Sequence, residues 1–90
     1  MLSRHAERER QADMIYVTEL EEALKSCEIL EDYPNHPRGP SRLVLGFAGP
    51  RPLHAVCSIG GEPEELLLIT MYDPSRRPEE WTHDFRWRRR

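Results

Sequence analysis

Two strand-like runs, residues 51–59 and 65–72, flank the tetrapeptide Gly60-Gly61-Glu62-Pro63. A connection this short forces antiparallel pairing, because a parallel pair needs a crossover of roughly a dozen residues or more. The chain is therefore committed to a sheet, and its other punctuation extends that sheet upstream. Gly49-Pro50 turns a run at 42–48 into the one beginning near Arg51. Pro34-Asn-His-Pro-Arg-Gly-Pro-Ser41 carries three prolines and a glycine, which exclude a helix or a central strand. Residues 28–33 form a first strand that ends at Pro34. The expected strands are 28–33, 42–48, 52–59 and 65–72, joined mainly as an antiparallel meander.

Helical signals come earlier in the chain. Ser3 is a suitable N-cap for a helix over 3–13. Thr18 and Glu21 form a T-x-x-E capping box opening a second helix over 18–26, with Leu20, Ala23 and Leu24 on one face. Pro78 to Trp81 reads as one helical turn, and the basic end at 76–90 is expected to fray over its last residues. Ninety residues make one domain, 1–90, with one core. The fold class is α+β: two N-terminal helices packed on one face of a four-stranded, mainly antiparallel sheet.

Period-two alternation sorts the side chains. One face takes Leu43, Leu45, Phe47, Leu53, Ala55, Cys57, Ile59, Leu67, Ile69 and Met71, an apolar surface for the helices. The other takes Arg42, Val44, His54, Val56, Ser58, Leu66, Leu68, Thr70 and Tyr72, so polar groups from three strands share an open face.

Several function classes fall away. No apolar run approaches the roughly 20 residues of a membrane span, and the chain opens no signal-peptide pattern, so it reads as cytoplasmic. Cys27 and Cys57 stand thirty residues apart without C-x-x-C spacing, which supplies neither a disulfide framework nor a zinc site. No phosphate loop, nucleophile elbow or metal motif occurs, and the sequence calls for no cofactor. Net charge is −3 but segregated: residues 33–61 hold no acid, while 76–90 hold six arginines against three acids. Such a chain can present a local basic surface to an anion.

The candidate chemistry is scattered: His5 and Arg8 on the first helix, and Arg42, His54, Thr70 and Tyr72 on the open face. Histidine exchanges protons near neutral pH and arginine stabilises charge on a phosphoryl oxygen, which suffices for metal-independent RNA cleavage. The plainer reading is that a wet sheet face carries Arg, His, Thr and Tyr because they fit it. Arg86-Trp87-Arg88-Arg89-Arg90 could touch nucleic acid by charge and stacking, and Trp81, Phe85 and Trp87 leave a homodimer open.

The ordered motifs His5-Ala6, Glu31-Asp-Tyr-Pro34, Gly39-Pro-Ser-Arg-Leu-Val-Leu-Gly46, Arg51-Pro-Leu-His-Ala-Val56 and Leu68-Ile-Thr-Met-Tyr-Asp-Pro74, with Trp81, resemble the bacterial DUF4258 family. The resemblance implies a RelE-like ribonuclease fold and the toxin half of a type II toxin–antitoxin pair. Its partner would be an antitoxin with a C-x-x-C zinc finger and a helix-turn-helix, and its substrate RNA. By the resemblance, His5, His54, Thr70 and Tyr72 sit at the family's recurring polar positions; the residues themselves offer His54, His5 and Tyr72 for acid–base work and Arg42, Arg8, Arg51 and Thr70 for the RNA phosphate. The family pattern H-A-x-x-R, with a second arginine four residues on, is broken here by Glu9 and Asp13. A non-catalytic protein-binding module is the alternative.

Overall fold

The computed structural model describes residues 2–37, 39–60 and 65–89. Its elements run α1 (Arg4–Ala12), α2 (Val17–Lys25), β1 (Glu28–Tyr33), β2 (Ser41–Ala48), β3 (Arg51–Gly60) and β4 (Glu65–Tyr72), followed by a 3-10 turn at Pro74–Arg76. The four strands lie in the order β1-β2-β3-β4 and every neighbouring pair is antiparallel. The α+β architecture and the meander are as the sequence indicates. The turn at 61–64, which the glycine pair marks, lies outside the described residues.

Local chemistry explains most boundaries. The Ser3 hydroxyl accepts from the Ala6 amide at 3.0 Å, capping α1, and itself donates to the Ile69 carbonyl at 2.9 Å. One side chain thus starts the helix and ties it to β4. The α2 start differs from the expected Thr18–Glu21 box. Its N-cap is Tyr16, whose amide donates to the Glu19 carboxylate at 2.8 Å. Burial of Ile15 at 2% exposure fixes the chain just before the helix, so α2 begins ahead of Thr18. Between β2 and β3, Gly49 sits at φ +58°, the left-handed backbone that a two-residue hairpin turn requires.

The helices cover one face of the sheet, α1 over β4 and α2 over β2. The core there joins Ala6, Ile15, Leu20 and Ala23 to Val44, Leu53, Ala55, Leu68 and Met71. α2 lies so close to β2 that a Cβ on Gly46 would stand 2.1 Å from the Ala23 carbonyl oxygen. Only glycine permits that crossing.

The expected assignment of faces needs correction. Leu53, Ala55, Cys57 and Met71 face the helices as expected, but β2 has the opposite phase. Val44 lies opposite Ala55, and Leu45 opposite His54. Leu43 and Leu45 therefore belong to the His54 face, and Arg42 and Val44 to the helix face. In β4 the register shifts at Val56/Cys57, so that Leu68 lies opposite Cys57 and joins the helix core in place of Leu67. The physical reason is that both faces are covered. Residues 73–89 cross the second face, and Trp81 is only 3% exposed beneath them. Leu43, Val44 and Leu45 are all buried, so alternation of hydrophobicity cannot phase the strand.

The C-terminal end does not fray as expected through residue 89. A turn brings Trp81 opposite Arg88, closed by bonds from the Thr82 amide to the Trp87 carbonyl and from the Arg89 amide to the Glu80 carbonyl. The expected helical turn at Pro78 is a hydrogen-bonded turn instead, and the single 3-10 turn among the described residues lies earlier, at Pro74–Arg76.

Candidate functional site

His54 is the centre of the second face and is fully buried, at 0% exposure. β3 carries it, Tyr72 at the end of β4 lies opposite it, and the C-terminal segment closes over both. Its Nε2 is 2.8 Å from the Phe85 carbonyl oxygen and its Nδ1 is 3.1 Å from the Tyr72 hydroxyl. A carbonyl only accepts, so Nε2 carries the proton and donates, leaving Nδ1 to accept from the Tyr72 O–H. The Trp81 ring packs edge-on against the imidazole, with centroids 4.3 Å apart. Burial lowers the His54 pKa, and its hydrogen bond to the Phe85 carbonyl only partly opposes that. Burial likewise pushes the Tyr72 phenol up to about 12. Phe85 adopts φ +63° to present its carbonyl. His54 is thus a neutral histidine with both nitrogens engaged, not the open-face histidine expected from alternation.

The remaining candidates separate into different places. Arg51 is a staple. Its guanidinium donates to Asp73 at 2.7 Å, Glu19 at 2.9 Å, and the carbonyls of Met14 and Asp13 at 3.0 and 2.6 Å. It is only 22% exposed and fixes the α1–α2 loop to the end of β4. Arg42 lies on the helix face, exposed and 3.5 Å from Asp32, on the opposite side of the sheet from His54. Thr70 shares the His54 face one row along, opposite Val56. Arg8 is exposed on α1. The expected single polar face therefore does not form.

A different set converges beside Tyr72. A cavity of about 310 Å3 is lined by Glu9, Tyr72, Arg77, Glu80, Trp81 and Arg88. At its α1 side, His5 Nε2 is 3.2 Å from a Glu9 oxygen that also accepts the Met71 amide at 3.0 Å. Arg77 stands over the Tyr72 ring at 5.7 Å and Arg88 over the Trp81 ring at 4.8 Å. Both arginines also have acidic neighbours, Asp13 at 3.4 Å and Glu31 at 3.8 Å respectively. The cavity joins the Glu9 carboxylate that holds His5, a high-pKa phenol and two guanidinium groups. It can move protons and hold an anion.

Sequence reasoning missed Glu9, Arg77, Glu80 and Arg88 as site residues. For Arg77, Glu80 and Arg88 the signal was present in the tail, where Trp81 and Phe85 are too apolar for a free end, so the tail had to fold back and bring its arginines with it. Glu9 and Asp13 hold the edge of β4: Glu9 takes the Met71 amide, and Asp13 takes the Asp73 amide at 2.9 Å. Trp81 is buried within its own chain and Phe85 half-buried, while Trp87 stays 68% exposed.

Among the described residues, no group of three or more His, Cys, Asp or Glu side chains is placed to hold a metal ion. Among the described residues, no helix is long and apolar enough to cross a membrane. A family model described as a domain of unknown function (DUF4258) matches residues 2–73. No curated protein and no solved structure matches the chain.

Proposed function

The chain belongs to the DUF4258 family, and on that premise we propose that it is the toxin of a type II toxin–antitoxin pair, an RNA endonuclease acting by acid–base transesterification. The observation that supports this reading is the cavity lined by Glu9, Tyr72, Arg77 and Arg88, with His5 held against Glu9 at its α1 side. At its α1 side His5, oriented by Glu9, removes the proton of a ribose 2′-OH. The oxygen attacks the adjacent phosphorus, and Arg77 and Arg88 stabilise the charge of the crowded phosphate. The 5′ oxygen leaves and takes the proton of Tyr72, whose O–H swings from His54 Nδ1 to the leaving oxygen, and the phenolate is reprotonated by water after release. His54 is a positioning residue in this scheme. Nothing in the step calls for a metal ion. The partner is a zinc-finger, helix-turn-helix antitoxin that silences the enzyme in the cytoplasm.

Purified protein incubated with a long unstructured RNA in EDTA tests this. The wild type cleaves, and His5→Ala slows cleavage by about 100-fold or more, the usual contribution of a general base. Arg88→Ala reduces cleavage and its salt dependence. An unaltered rate in both His5→Ala and Arg88→Ala, with the fold intact, would remove the cavity from the reaction.

A second reading, a non-catalytic protein-binding module, is favoured by a separate observation: an apolar groove of about 530 Å3 on the helix face, away from the polar cavity. A stable partner recovered without RNA cleavage, either alone or after partner removal, would select it.

A further inference from the structure

The two edges of the sheet are finished differently. The outer edge of β4 is covered by α1: the Ser3 amide donates to the Leu68 carbonyl, the Ser3 hydroxyl to the Ile69 carbonyl, and Glu9 takes the Met71 amide. β1 stands last at the other side, and among the described residues no main-chain hydrogen bond from another element reaches its outer edge. That row of amides and carbonyls is a template for another strand.

Beside this edge lies the 530 Å3 groove, with Leu24, Val44 and Cys57 among its lining and Ile29 and Leu66 at its sides. It exists because α2 ends at Lys25 and α1 lies over β4, which leaves this part of the helix face without cover. Ile29 is 53% exposed there. An open edge next to an apolar trough suits an added strand: main-chain bonds supply affinity, and the trough takes alternate side chains.

Charge selects the occupant. β1 holds Glu28, Glu31 and Asp32 and no base in six residues. Pairing β1 with β1 of a second copy would set these acids against one another, and the irregularity between Ile29 and Glu31 further disturbs such a ladder. Glu28 and Glu31 point to the face opposite the groove, and both already draw guanidinium groups: Arg86 lies at 2.9 Å and Arg88 at 3.8 Å. They remain 48% and 39% exposed, open to further cations. An added strand would place alternate residues in the groove and along these acids.

We propose that the β1 edge and its groove bind an extended segment of a partner protein, one that alternates apolar residues with Lys or Arg. The apolar residues fill the groove and the cations lie along Glu28 and Glu31. This inference does not depend on RNA cleavage.

The test uses the full chain and three fluorescein-labelled decapeptides: alternating Leu and Lys, alternating Leu and Glu, and the Leu/Lys peptide N-methylated along its pairing edge. The Leu/Lys peptide is expected to bind by anisotropy and to slow hydrogen exchange at the amides of β1. Affinity should fall at least tenfold for the other two peptides and for Ile29→Ser, a change at an exposed position that leaves the fold intact. Equal binding of the three peptides, no binding, or unaltered exchange in β1 would overturn the proposal. So would a concentration-dependent dimer, by sedimentation, that Ile29→Ser abolishes, since the occupant would then be a second copy.

Discussion

Replacing Arg51 with methionine separates a staple from a phosphate ligand. The guanidinium serves Asp73, Glu19 and two carbonyls of the α1–α2 loop, and methionine keeps the stem while removing every donor. Breaking a buried ion pair costs about 3–5 kcal/mol, and a hydrogen bond to a charged group contributes about 1.5–3 kcal/mol. The site is partly exposed and its bonds share one group, so the sum is not additive and a loss of about 2–4 kcal/mol is expected. In a chain of this size that lowers the melting temperature by about 10–25 °C. The acid limb should change too. Burial raises the Asp73 pKa, but hydrogen bonds from Ser75 and Arg51 outweigh it and the net shift is downward. The sign is then fixed: the stability from Asp73 is complete above its unfolded pKa and lost as pH falls through the lower folded value. Arg51→Met should lose part of this acid dependence. Urea and thermal unfolding, followed by tryptophan fluorescence across pH 2–6, measure both effects. A variant within about 0.5 kcal/mol of wild type, the level of an ordinary surface change, would refute the staple and return Arg51 to the candidate ligands.

Four further outcomes follow from the same packing. Gly46→Ala should destabilise by about 1–3 kcal/mol, because the new Cβ meets the Ala23 carbonyl and α2 must shift; an unchanged urea midpoint would contradict that contact. Tyr72→Phe strips His54 Nδ1 of its donor and should cost about 1–3 kcal/mol, again read from urea unfolding. Because the folded His54 pKa is lowered, the unfolded chain binds more protons, and stability should fall as pH drops through about 6.5, the ordinary histidine value. Nitrogen-15 NMR should find the His54 Nε2–H tautomer unchanged at pH 7, and an imidazolium there would refute the buried arrangement.

What the sequence determined by itself is local. Proline and glycine placement set the strand boundaries to within a residue, because the effects act on one or two backbone dihedrals. The Ser3 cap was legible for the same reason, and the short links made the meander unavoidable. The tertiary structure decided everything that depends on which side of the sheet is covered. Alternation reports that neighbours point opposite ways but not which way is inward, and in β2 both ways are inward. The register shift in β4 moved Leu68 across the sheet through a pairing with Cys57, eleven residues away. Above all, Trp81 and Phe85 return from the chain end to close over His54. Their fold-back withdraws the histidine from solvent and delivers Arg77 and Arg88 to Tyr72 and Glu9. That exchange is driven by burial between segments more than 25 residues apart, so no window of sequence contains it.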